Sequence, residues 1–204
     1  MPKLSVRGAD RTARPATVSV REPRWGAPSQ YPIQRIPRGI RCGLLRVNSL
    51  TAQLRALCPD GFRVALIRQS RTHVRVGERR FLGLPKGAPV LQRQVYLVCR
   101  DRPVVFAHSI LPVASLRGHW AGLGRLGVRP LGEALFSDRS VRRGPLQVAR
   151  LVSPMSLYAV LADGVAEPPA EVWGRRSIFH LPNGPVMVSE FFLSDYASLL
   201  GSGL

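Results

Sequence analysis

The 204-residue chain reads as an α+β protein built on one antiparallel sheet of about six strands with flanking helices. Two observations predict this. Strand-like runs come in pairs with short connections: Val90 to Cys99 and Val104 to Leu111 are joined by Arg100-Asp101-Arg102-Pro103, and Trp173 to Leu181 and Val186 to Leu193 by Pro182-Asn183-Gly184-Pro185. Connections of that length join antiparallel neighbours. Helical patterns fall between the remaining strands, which places helices beside the sheet.

In chain order, residues 1–24 hold six basic residues and little hydrophobic periodicity, and read as a disordered basic tail. They lack the apolar centre of a secretory signal. Residues 25–204 are read as a single domain. Trp25 to Pro37 is proline-rich and expected to run extended over the fold. Ile40 to Val47 reads as a short helix, and Asn48-Ser49 offers an N-cap for a second over Leu50 to Leu57. Phe62 to Gln69 is the first strand, followed by a polar, arginine-rich connection to Arg80. After the first hairpin, Ser115 to Leu126 has helical spacing interrupted by Gly118, Gly122 and Gly124. Pro130 favours a helix start for Leu131 to Phe136. Pro145 to Leu151 reads as a strand, Ser156 to Ala162 as a helical turn, and the second hairpin closes the fold.

Composition excludes several functions. No apolar run approaches the roughly 20 residues needed to span a bilayer, so no membrane insertion is expected. The formal charge of +18 is almost wholly arginine, since Lys3 and Lys86 are the only lysines among 30 basic residues. The arginines are dispersed, with no long basic run and no aromatic RNA-binding signature, so no nucleic-acid partner is expected. Cys42, Cys58 and Cys99 are odd in number and widely spaced; they read as reduced thiols, and no metal is expected. A cytoplasmic monomer is the reading that results.

Two charged residues stand out. In Val186 to Leu193, Val186, Val188, Glu190 and Phe192 share one face and Met187, Ser189, Phe191 and Leu193 the other. Neither face is polar, so Glu190 is a carboxylate in a buried setting that needs a partner or a task. In Val90 to Cys99, Arg93 shares a face with Leu91, Val95 and Leu97, while Gln92, Gln94 and Tyr96 make the opposite face the outward one. Arg93 is therefore an inward guanidinium suited to a carboxylate. A structural Arg93–Glu190 ion pair and two ends of one ligand site fit this pattern equally. The helix starts at Leu50 and Leu131 offer free backbone amides to a ligand.

These residues resemble the chorismate pyruvate-lyase family. The resemblance rests on Ser49-Leu50-Thr51, Arg93 in VLQRQVYL, VVFAHSILP (104–112), LGVRPLGEALF (126–136), WGRRS (173–177) and VMVSEFFL (186–193), in family order. It implies a site sealed under helical flaps and cofactor-free conversion of chorismate to 4-hydroxybenzoate and pyruvate, the first committed step of ubiquinone synthesis. Arg93 would clamp the ring carboxylate, the amides of Leu50 and Leu131 would hold ligand oxygens, and Glu190 would transfer the proton. Arg175 or Arg176 would attend the enolpyruvyl carboxylate; being adjacent on a strand, only one can point inward. Arg93 and Glu190 should then be separated by a ring-sized gap. The alternative is an effector-sensing domain of similar fold that binds a small carboxylate without turnover.

Overall fold

The computed structural model describes residues 21–201. One seven-stranded sheet, antiparallel throughout, organises them. Its strands are β1 (Phe62–Thr72), β2 (Val90–Cys99), β3 (Arg102–Pro112), β4 (Arg142–Arg143), β5 (Gln147–Val152), β6 (Glu171–Leu181) and β7 (Gly184–Phe192). The spatial order is β1-β2-β3-β7-β6-β4, with β5 also paired to β6. Six of the seven strands were expected; the two-residue β4 was not, because a pair of arginines carries no strand signal. Both expected hairpins form. At the tip of the first, Arg100 and Asp101 adopt φ of 49° and 63°, the left-handed pair that a two-residue hairpin turn requires.

Both faces of the sheet are covered. One carries α1 (Arg38–Leu45), α2 (Leu50–Leu57), α4 (Leu131–Ser137) and the C-terminal α6 (Ser194–Gly201), packed around Val64, Val95, Leu97, Phe192 and Tyr196. The other carries α3 (Val76–Leu82) and α5 (Tyr158–Asp163) over Tyr96, Phe106, Phe191 and Met187. The expected outward face of β2 is thus a second interior: Gln94 is 2 % and Tyr96 8 % exposed. Their polarity is absorbed by partners. Tyr96 Oη donates to the Leu161 carbonyl at 2.8 Å and accepts from Gly164 N–H, and Gln94 Nε2 lies 3.4 Å from His108 Nδ1.

The N-cap expected at Ser49 is present, its hydroxyl accepting from Ala52 N–H. Three helical readings change. The arginine-rich connection after β1 contains α3, seven residues that bury only Glu78 and Leu82 and so leave too short a periodic stripe to be seen. Gly118–Arg125 forms 3-10 turns instead of an α-helix, bounded by positive φ at Gly118 and Gly127. Its Trp120 and Leu123 are nevertheless buried. Helix α6, which had no reading, begins at Ser194. At the other end, residues 21–24 belong to the fold instead of the tail: Glu22 accepts from Gly77 N–H at 3.1 Å, and Pro23 is buried. Residues 1–20 lie outside the described residues. No helix among the described residues is long and apolar enough to cross a membrane.

Cys58 and Cys99 are disulfide-bonded, with Cα atoms 6.0 Å apart, inside the usual range for such a bond. This corrects the reduced-thiol reading for both. They stand 41 positions apart in the chain, and only the meeting of the end of α2 with the end of β2 reveals the pair. Cys42 remains free and exposed.

On the face carrying α3, His108 Nε2 lies 2.8 Å from Glu78 Oε1, and Arg75 pairs with the same carboxylate at 3.2 Å. Burial pushes the Glu78 carboxyl upward. The hydrogen bond and charge of His108, with Arg75 adding to them, outweigh burial and hold it at about 2 against an ordinary 4.5. A depressed folded-state value means that the stabilisation is complete above the unfolded value and is lost as pH falls from about 4.5 towards 2. Thermal melts across that window should fall more steeply for the wild type than for Glu78→Gln. Parallel curves would show that Glu78 is not the group responsible.

Candidate active site

Between the sheet and α2 and α4 lies one cavity lined by Arg93, Ser109, Arg175, Glu190, Arg143, Leu50, Thr51 and Leu131, with Val95, Leu97, Val188 and Phe179 among its apolar walls. The strand alternation explains the convergence. Arg93 pairs with Ser109 across β2 and β3, Ala107 with Glu190 across β3 and β7, and Arg175 with Glu190 across β6 and β7. Polar side chains from four adjacent strands therefore project to one side.

Arg93 is 2 % exposed. One terminal nitrogen donates to the carbonyls of Gly127 and Arg129, both at 2.9 Å, while its buried Nε has no hydrogen-bond partner among the described residues. Burial lowers its pKa to about 10, still far enough above neutrality to keep the cation. Glu190 does not pair with Arg93. Its partner is Arg175, whose Nε donates to Glu190 Oε2 at 2.6 Å; the two side chains are 2 % and 16 % exposed. Arg175 also donates to the carbonyls of Gly43 and Arg46. The structural Arg93–Glu190 pair is thereby overturned, because the cross-strand neighbour of Glu190 supplies the nearer guanidinium.

Leu50 and Leu131, each the first residue of its helix, reach the cavity wall from opposite flaps. The flaps meet over it: a Cβ on Gly132 would stand 3.0 Å from Thr51 Oγ1, so the glycine lets the two helix starts close together. The expected ring-sized gap is not open. The cavity between them is only about 30 Å³.

Arg176 is not brought to this cavity. It projects from the opposite face of the sheet, 4.5 Å from the Trp25 ring centroid and 3.8 Å from that of Phe81, with Nε donating to Gln147. Conversely, Arg143 lines the cavity without having been anticipated. Its Nε donates to Ser177 Oγ at 3.0 Å and a terminal nitrogen to the Val47 carbonyl at 2.6 Å. Burial first, then the charge of Arg175, lower its pKa to about 10, with Glu190 opposing. Only the cross-strand register of β4 on β6 brings it there. Among the described residues no cluster of three or more His, Cys, Asp or Glu could hold a metal ion.

A sheet with helices over a buried guanidinium–carboxylate cavity defines an α+β domain with a cationic interior. Solved structures share the fold: the effector domain of PhnF from Mycobacterium smegmatis superposes with a TM-score of 0.55 at 18 % identity, over 74 % of this chain and 91 % of that one, and the PhnF C-terminal domain with 0.51 at 12 %. Sequence goes further. The chorismate lyase family model matches residues 22–198, and the chain belongs to that family of lyases. Relatives include a probable chorismate pyruvate-lyase of Azoarcus sp. (strain BH72), 44 % identical over 79 % of this chain and 87 % of the relative. Another is that of Ralstonia nicotianae, 42 % identical over 74 % and 79 %.

Proposed function

We propose that this protein converts chorismate to 4-hydroxybenzoate and pyruvate without a cofactor, as the first committed step towards ubiquinone. The observation that carries this reading is the charge of the cavity. Arg93, Arg143 and Arg175 face a single carboxylate, Glu190, leaving an excess of two positive charges for a ligand with two carboxylates. A buried cation excess of that size needs a matching anion.

In this reading the buried Arg93 holds the ring carboxylate, with the amides of Leu50 and Leu131 on ligand oxygens and Glu190 at the hydroxyl and ether side. The ring carbon–oxygen bond of the enolpyruvyl ether breaks and its electron pair leaves on the enolate. The hydroxyl-bearing carbon beside it gives up its proton, and the electrons of that C–H bond complete the aromatic ring. Glu190 carries the proton, and protonation of the enolate gives pyruvate. Aromatisation drives the change, so positioning and one proton carrier suffice. Arg175 orients the Glu190 carboxylate through its 2.6 Å bond.

The test is direct: purified protein is mixed with chorismate in the presence of a chelator and without nucleotide, and 4-hydroxybenzoate is followed by absorbance. Product formation is expected. Chorismate binding without product would instead favour an effector-binding role, the reading consistent with the shared PhnF fold.

A further inference from the structure

Every cavity-facing arginine is tied to a flap by backbone carbonyls. Arg93 holds Gly127 and Arg129, in the loop leading to α4. Arg175 holds Gly43 and Arg46, and Arg143 holds Val47, around the loop leading to α2. These are the loops that carry Leu131 and Leu50 to the cavity. A carbonyl is a neutral acceptor, and a carboxylate in its place makes a charge-assisted bond roughly twice as strong. A ligand carboxylate reaching one of these guanidiniums therefore competes with the loop for the same donors.

The three are not equally available. Arg93 is assigned above to the ring carboxylate. Arg175 is committed to Glu190 and to two carbonyls. Arg143 makes one bond to a hydroxyl and one to a carbonyl, and its guanidinium sits beside the edge-to-face pair of Phe136 and Phe179, 5.8 and 5.4 Å from their centroids. Among the described residues those two bonds leave other donors of the fork at the cavity for a ligand.

Resting on the chorismate-cleaving reading, we propose that Arg143 receives the second, three-carbon carboxylate of the substrate, and that this carboxylate displaces the Val47 carbonyl and so loosens the loop before α2. The dicarboxylate then opens the first flap, and the monocarboxylate ring product left after cleavage does not. Once the three-carbon fragment departs, Arg143 returns to Val47 and the flap closes over the ring.

Arg143→Gln tests the subsite. Chorismate KM should rise by roughly tenfold or more, the cost of losing a charge-assisted bond, while the dissociation constant of 4-hydroxybenzoate stays within roughly threefold. Equal weakening of both, or of neither, overturns the assignment, and Arg143→Lys should recover part of the KM loss. Hydrogen exchange on the wild type gives a readout that needs no variant: in the minutes before turnover is complete at low temperature, amides of residues 46–49 should exchange faster with excess chorismate than with saturating 4-hydroxybenzoate. The same rate with both ligands overturns the displacement. A wild type that makes no 4-hydroxybenzoate at all would defeat the functional reading instead, and the two failures are distinguishable.

Discussion

Glu190→Gln should reduce turnover of chorismate by roughly 10²- to 10⁴-fold, the range contributed by a positioned proton carrier, while 4-hydroxybenzoate binds nearly as well as to the wild type. The substitution keeps shape and the acceptor oxygen that Arg175 Nε meets at 2.6 Å, so the cross-strand arrangement with Ala107 and Arg175 survives. What it removes is a group that can take and return a proton. It also removes a negative charge from beside Arg175 and Arg143, which strengthens the attraction of the cavity for a dicarboxylate; chorismate KM should therefore not rise. The measurement is a pre-steady-state trace of product formation paired with a product-binding titration. Turnover within a few-fold of the wild type, in a variant whose melting temperature is unchanged, would sink the proton-transfer role.

The strand pattern gave away half of this site and hid the rest for a physical reason. Alternation along β2 and β7 puts Arg93 and Glu190 on inward faces, and adjacency along β6 requires that Arg175 and Arg176 diverge, as they do. Which of the two enters the cavity depends on how β6 registers against β7, and a single residue of slip would exchange them. Register is set by long-range pairing, so no local signal assigns it. The same holds for Arg143, two residues of strand on an edge, and for the Cys58–Cys99 bond. The misjudged outer face of β2 has a different cause. Gln94 and Tyr96 look solvent-facing by type, but α3 and α5 cover them: Gln94 meets His108 of β3, which Glu78 of α3 holds, and Tyr96 bonds to Leu161 and Gly164, and composition alone does not distinguish a polar surface from a satisfied polar interior.

The opposite arginine clamp, Arg93, should matter most for affinity. Arg93→Ala removes a 2 % exposed guanidinium and should weaken 4-hydroxybenzoate binding by about 2–5 kcal/mol if the ring carboxylate pairs with it. Two routes contribute to that loss. One is the missing ion pair. The other is the freeing of the Gly127 and Arg129 carbonyls, which slackens the loop before α4. Replacing the ligand's carboxylate by a carboxamide separates them. The wild type should strongly prefer 4-hydroxybenzoate to 4-hydroxybenzamide, because Arg93 lines the cavity with a buried Nε that has no partner among the described residues, and a guanidinium fork matches the charged, planar carboxylate. In Arg93→Ala both ligands suffer equally from the slackened flap, but the preference between them should collapse to within a few-fold. A variant that still discriminates like the wild type would move the ring carboxylate to Arg143 or Arg175 and reverse the orientation of the substrate in the cavity.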